Sequence, residues 1–196
     1  MIRSFTAAAA LGVVLLAIAA CVPPATKPSF PDIRFTDQPK LRLDVAAIEV
    51  IDDYHPTFQA PNVDHLFPVP PQRAAENWAH DRLEATGTTR RARVRIIDAS
   101  VKETELPRTQ GITGAFTTDQ AQRYDATLEM SVEILNDRGL PERTVTAKSS
   151  RTQSVAEGIT PNERDTVWYT MPKQLLADQN RELEKQMRAN FTFYVQ

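Results

Sequence analysis

The sequence predicts an α+β fold: a two-layer sandwich in which about four mainly antiparallel strands carry two helices on one face. Three observations predict it. In the stretch Gln122 to Leu135, apolar and polar residues alternate without a break from Tyr124 to Ile134, the period of a half-buried strand. Two amphipathic stretches open on proline at the first helical position, Pro71 and Pro161. The elements come in the order β-α-β-β-β-α, and helices with one apolar stripe pack on the apolar face of such a sheet.

In order, Leu41 to Tyr54 reads as a strand. Leu41, Leu43, Val45 and Ala47 share one phase, and Ile48 and Val50 continue on the other. A slip of that kind predicts a bulge near Ala46-Ala47, or burial on both faces. A proline-spaced loop, Pro56 to Pro70, follows, with Val63, Leu66, Phe67 and Val69 expected to pin it to the core. The first helix runs from Pro71 to about Thr86 and stops at Gly87. Ala74, Ala75, Trp78 and Ala79 form its apolar face. Arg82 falls on that same stripe, either as a packed stem reaching water or a carboxylate, or as a buried anion contact.

Arg90 to Leu106 reads as a second strand, with Ala92, Val94 and Ile96 inward and a phase change to Ile97, Ala99 and Val101. In the third, Tyr124, Ala126, Leu128, Met130, Val132 and Ile134 face in. Asn136-Asp137-Arg138-Gly139 is a tight-turn sequence, leading into a fourth strand from Thr144 to Val155. Thr160-Pro161-Asn162-Glu163 is a capping-box start. Pro172 is expected to break or restart this second helix, which continues to about Asn190 with Leu176, Leu183 and Met187 as its stripe. The tail 191–195 alternates weakly, as an edge strand or a segment packed on the helix.

Composition narrows the function classes. With 196 residues, 41% hydrophobic and 24% charged, the chain supports one core. A net charge of −2 gives no global attraction for nucleic acid. A single cysteine excludes an internal disulfide and a cysteine-rich zinc site. Six glycines and no G-x-G-x-x-G or G-x-x-x-x-G-K-[ST] leave no phosphate-cradling loop, and there is no G-x-S-x-G or S-x-x-K nucleophile signature. No catalytic residue, metal ligand or cofactor is assigned.

The N-terminus carries the one feature with a chemical fate. Arg3 precedes an apolar run from Ala7 to Ala20, which is of signal-peptide length and shorter than the ~20 apolar residues of a spanning helix. The run ends in Leu16-Ala17-Ile18-Ala19-Ala20-Cys21. This segment resembles the lipobox of bacterial lipoproteins, and the resemblance implies cleavage before Cys21 and acylation of its sulfur (diacylglyceryl, palmitate). Val22 stands where an aspartate would favour inner-membrane retention, so the resemblance implies the outer membrane, on its periplasmic face. The expected organisation is a cleaved signal peptide at 1–20, a lipidated cysteine with a proline-rich tether at 21–40, and a single α+β domain at 41–196. Phe30, Ile33 and Phe35 are the tether residues that could instead pack on the domain.

Two constellations are candidates for contact. Arg91, Arg93 and Arg95 form a ladder on one strand face. They would meet an anionic partner, or pair across strands with Asp125, Glu129 and Glu133. The loop Pro107 to Ala121 holds Gly111, Ile112, Gly114 and Phe116, apolar side chains between flexible glycines, and is the leading candidate interaction loop. Asp52, Asp53, His55, Asp64 and His65 lack the spacing of a metal site. Glu76 and His80 lie four apart on the polar side of the first helix.

With the lipobox, this element order, and the segments 61–71 (PNVDHLFPVPP) and 114–118 (GAFTT), the chain resembles a family of Gram-negative lipoproteins to which no activity is attached. In architecture it is similar to the lipopolysaccharide-assembly lipoprotein and to auxiliary lipoproteins of ABC-type lipid transporters. The resemblance implies a non-enzymatic accessory or scaffold that binds an envelope protein or lipid. Two other readings stay open: a lipid-anchored hydrolase using carboxylates, which needs an acid-lined cleft, and a metal or small-ligand carrier centred on His55 and His65.

Overall fold

The computed structural model describes residues 29–107, 120–192 and 194–195. Within them the chain forms β1 (Leu41–Leu43), β2 (Ala47–Asp52), α1 (Pro71–Arg82), β3 (Leu83–Ala85), β4 (Arg91–Asp98), β5 (Val101–Glu105), β6 (Gln120–Leu135), β7 (Pro141–Ala156) and α2 (Pro161–Asn190). The class is α+β, as expected, but the sheet is larger and less uniform than four antiparallel strands.

The sheet is built around β6. Its inward residues, from Tyr124 to Ile134, are fully buried or nearly so. Each large side chain removed from water in this way contributes on the order of 2 kcal/mol. One edge of β6 pairs along its whole length with β7. The other edge is shared by β4 and β5, both antiparallel to it. β2 then adds to β4 in parallel, giving a five-stranded mixed sheet. The single strand expected from Arg90 to Leu106 is therefore two. Its phase change at Ile97 is real: register shifts between Ile96 and Asp98, and the Asp98 carboxylate accepts the Ser100 N–H in the turn to β5.

The strand expected from Leu41 to Tyr54 is also two, in different sheets. β1 pairs in parallel with the short β3, and β2 crosses to the main sheet. The slip read near Ala46-Ala47 marks that crossing and not a bulge. Its neighbours account for it: the Asp44 N–H donates to the Tyr194 carbonyl at 2.8 Å, and the Gly87 N–H donates to the Val45 carbonyl at 3.0 Å. A Cβ on Gly87 would lie 2.6 Å from the Asp44 carbonyl carbon and 2.7 Å from the Val45 nitrogen, so only glycine lets these backbones meet.

Both helices cover the inner face. α1 ends at Arg82, earlier than Thr86, because Leu83 to Ala85 leave the helix to pair with β1. α2 starts with the expected capping box: the Thr160 hydroxyl accepts the Glu163 N–H while the Glu163 carboxylate accepts the Thr160 N–H at 2.9 Å. Those bonds to Thr160 hold the Glu163 carboxyl below the usual carboxylate range. The helix runs unbroken through Pro172. A mid-helix proline costs about 3 kcal/mol, and here Trp168 and Met171 before it and Leu175, Leu176 and Leu183 after it are all buried. Packing on both sides outweighs the lost hydrogen bond.

Arg82 is 1% exposed and joins the two helices. Its Nε donates to Asn180 Oδ1 at 2.9 Å and its guanidinium pairs with Glu184 at 2.6 Å. Trp78 Nε1 donates to the same Asn180 oxygen at 2.7 Å. The packed-stem reading holds, with the carboxylate supplied by α2.

The packed chain begins before residue 41. Ile33 and Phe35, inside the expected tether, are core residues. Between them Arg34 clamps Asp81 of α1 at 2.8 and 2.5 Å, and Asp81 also accepts the Phe35 N–H at 2.9 Å. The Arg34 hydrogen bond holds the Asp81 carboxyl below its ordinary value. Proline-spaced sequence therefore still supplies an i, i+2 apolar pair to the core. At the other end Phe191 is buried, and the tail meets β1 through a bridge from Leu43 to Val195.

Candidate functional site

The main sheet has one face covered by helices and one open. On the open face, register decides what each arginine of β4 meets. Glu49, Arg93 and Glu133 stand in one row across β2, β4 and β6. Arg93 accordingly lies 3.4 Å from Glu49 and 3.7 Å from Glu133. Arg95 has Ile51 and Ser131 in its row and reaches along the strand to Asp53 at 2.6 Å. That hydrogen bond raises the guanidinium pKa further above its ordinary value. Arg91 has Ala47 and Leu135 in its row and makes no ion pair among the described residues. The ladder is thus two paired arginines and one free one.

Cross-strand pairing differs in detail from the sequence expectation. Glu133 meets Arg93, but Glu129 meets Lys148 of β7 at 3.1 Å, and Asp125 meets Arg123 at 2.9 Å and the Thr152 hydroxyl at 2.7 Å. The reason is length: Asp98, the last residue of β4, already stands opposite Glu129, so Asp125 lies beyond its reach. Arg90, with φ of 63°, leaves the strand line and pairs with Glu142 at 2.9 Å, its guanidinium 5.4 Å from the Tyr194 ring.

Free Arg91 lines an open cleft of about 210 Å³ at the end of the sheet with Arg93, Glu49, Asp137 and Arg138. A second cleft, of about 200 Å³, runs between β7 and α2, lined by Arg151, Thr152, Thr166, Thr170, Met171 and Gln174. Arg151 in it is engaged by Asp178 at 2.6 Å. The first cleft carries two carboxylates, Glu49 and Asp137, and the second none. Glu76, on α1, has a raised pKa, from burial first and the nearby Asp52 second, with His80 and Arg73 acting against them. It lines neither cleft.

A consequence for stability follows from Glu76. Its folded pKa lies above its unfolded value, so ionisation opposes folding. The native chain loses stability as pH rises from the unfolded carboxylate value through the raised folded one. Glu76→Gln is expected to raise the thermal midpoint at pH 7 and to give no gain near pH 4. Melting curves of both chains across that range check the sign.

The remaining sequence-stated positions fall as follows. Cys21 and the loop residues Gly111, Ile112, Gly114 and Phe116 lie outside the described residues. The His65 ring stands edge-on to Phe58 at 5.2 Å. Among the described residues no group of three or more His, Cys, Asp or Glu is placed to hold a metal. Among them, too, no helix is long and apolar enough to cross a membrane. Of the four loop residues expected to pin the Pro56–Pro70 segment, Val63, Phe67 and Val69 are buried, whereas Leu66 points outward.

No family model matches the chain, and no curated protein matches it. Solved structures show likenesses. A crystal structure of a candidate lipoprotein from Caulobacter crescentus shares 10% identity over 71% of this chain and 86% of that one, with a TM-score of 0.41. A Xanthomonas campestris protein of the DUF330 family shares 10% identity over 79% of this chain and 96% of that one, with a TM-score of 0.30. A PelC dodecamer from Paraburkholderia phytofirmans shares 10% identity over 76% of this chain and 91% of that one, with a TM-score of 0.23. At such identities and scores these likenesses attach no function to this chain. The arguments that follow rest on its own residues.

Sequence reasoning missed Phe58, which is 68% exposed in the Pro56–Pro70 segment. A signal for it was present: from Pro56 to Pro70 the only formally charged residue is Asp64.

Proposed function

We propose that this protein is a lipid-anchored lipoprotein of the Gram-negative envelope. It is held on the periplasmic face of the outer membrane by acyl groups on Cys21, where it acts as an accessory that binds a neighbouring envelope protein or lipid. The observation that carries the reading is the coincidence, at one point, of the chain's single cysteine, the small residues before it and the end of a signal-length apolar run. Two or more acyl chains on one cysteine anchor stably, at about 0.8 kcal/mol per buried CH₂.

The domain's architecture supports a binding role. An open polar sheet face flanks a helix-covered one, and Arg91 at its end is a cation without an ion-pair partner among the described residues. Gly111, Ile112, Gly114 and Phe116 are the candidate contact loop on sequence grounds. The test is fractionation of cell envelopes on a density gradient. The protein is expected in the outer-membrane fraction, extractable by detergent and not by high salt. Recovery in the soluble fraction would overturn the reading.

A further inference from the structure

The segment Pro56–Pro70 forms a lip beyond the end of β2. Asp64, its single formally charged residue, is buried. The outer surface of the lip therefore carries no formal charge, in a chain of which 24% of residues are charged. The lip is tied to β5 by backbone bonds: the Val63 N–H donates to the Val101 carbonyl at 2.9 Å, and the Glu103 N–H donates to the Pro61 carbonyl at 2.8 Å.

This anchorage leaves Phe58 and Leu66 outside, 68% and 54% exposed, with the His65 ring edge-on to Phe58. Phe58 also sits at a φ of 55°. For a bulky L-residue that conformation costs roughly 1–2 kcal/mol, and no burial offsets it here. A strained, outward aromatic on a rigid, uncharged lip suits a surface that takes up an apolar side chain.

The N-terminal chain says which surface that is. The Phe30 ring packs on Tyr169 at 5.1 Å. The neighbouring Trp168 stacks on Phe67 at 5.0 Å, and Phe67 follows Leu66 in the lip. The chain thus enters the domain on the side of the lip. Nine residues, with Pro23, Pro24 and Pro28 among them, lead from Cys21 to Phe30. In polyproline geometry they span at most about 28 Å. The arginine end lies away from there: Tyr169 and the α2 terminus at Asn190 are separated by about 31 Å of helix.

We infer that Phe58 and Leu66 form a bilayer-contacting lip, seated at the headgroup–acyl boundary of the membrane that holds Cys21. The inference rests on the anchor reading proposed above. Lipid suits the site because the lip itself presents no formal charge to desolvate, and aromatic and aliphatic side chains settle at that depth. The bound lip turns Arg91 and its cleft toward the aqueous side, free for a partner.

The test uses acylated protein purified from membranes, as Phe58→Cys or Leu140→Cys. Leu140 is also exposed, at 59%, but lies at the arginine end. Each new thiol carries a polarity-sensitive fluorophore, and the protein is reconstituted into phosphatidylethanolamine–phosphatidylglycerol vesicles. The mass of the Cys21 peptide is measured on the same sample. A blue-shifted emission at 58, quenched several-fold more strongly by lipid-borne quenchers than at 140, is the expected result. Acylated protein in which both positions are equally aqueous overturns the lip alone. A missing acyl mass overturns the anchor reading and the lip with it. A blue shift in native membranes that is absent in vesicles assigns the lip to a protein and overturns the lipid occupant.

Discussion

Glu184→Ala is expected to destabilise the domain by about 2–3 kcal/mol, a value set by what it leaves behind and not by the ion pair's own worth. Arg82 is 1% exposed, and among the described residues Glu184 is its only carboxylate, at 2.6 Å. Without Glu184 the guanidinium keeps one bond to Asn180 Oδ1 and remains buried with its charge uncompensated. At this chain length a loss of that size lowers the thermal midpoint by roughly 5–10 °C.

Arg82→Met is expected to behave differently. The methionine stem fills most of the arginine volume. Trp78 still donates to Asn180, and Glu184 is already bound by Arg188 at 2.8 Å and partly open to water. Removing the charge with its partner intact leaves no buried ion, so the expected cost is under about 1.5 kcal/mol. Urea unfolding of the two variants decides the matter. Equal losses would mean that packing, and not the stranded charge, controls the contact between α1 and α2.

Cys21→Ala is expected to move the protein from the membrane pellet to the soluble fraction, or to leave it as an uncleaved precursor, with no change in the melting temperature of the domain. The size of the effect follows from chain number. One acyl chain of myristoyl length binds a membrane with a constant of only about 10⁴ M⁻¹, while added chains contribute about 0.8 kcal/mol per CH₂ and make release negligible. The domain itself should be unaffected, because its described packing starts at Phe30 and Ile33, well beyond the cysteine. Labelled palmitate retained by the alanine variant would contradict the assignment.

How much was legible depended on whether a feature was local. β6 was readable because one strand carries its whole signal in its own alternation, and the α2 start because Thr160, Pro161 and Glu163 make the cap among themselves. The divided strands were not. A continuous apolar pattern from Leu41 to Tyr54 conceals a change of sheet set by Tyr194 and Gly87, residues remote in sequence. β3 was invisible for the same reason: Leu83-Glu84-Ala85 continue a good helical pattern and become strand only beside β1. Pro172 misled in the opposite direction, since a local rule was overruled by burial on both sides.

For the candidate site the limits were similar. The ladder of Arg91, Arg93 and Arg95 was plain from alternation, but which arginine is free could be learned only from register, because Glu49 belongs to a strand more than forty residues earlier. The lip was half-legible. Its lack of charge is written in the sequence, whereas the outward placement of Leu66 and Phe58 depends on how Val63 and Pro61 hydrogen-bond to β5.

The central claim is that the chemistry of this protein lies at Cys21 and that the domain works within reach of it. The most direct test is the mass of the N-terminal peptide of protein purified from membranes. The account predicts a peptide that begins at Cys21 and carries diacylglyceryl. A peptide that begins elsewhere, or that begins at Cys21 with a free thiol, would contradict it.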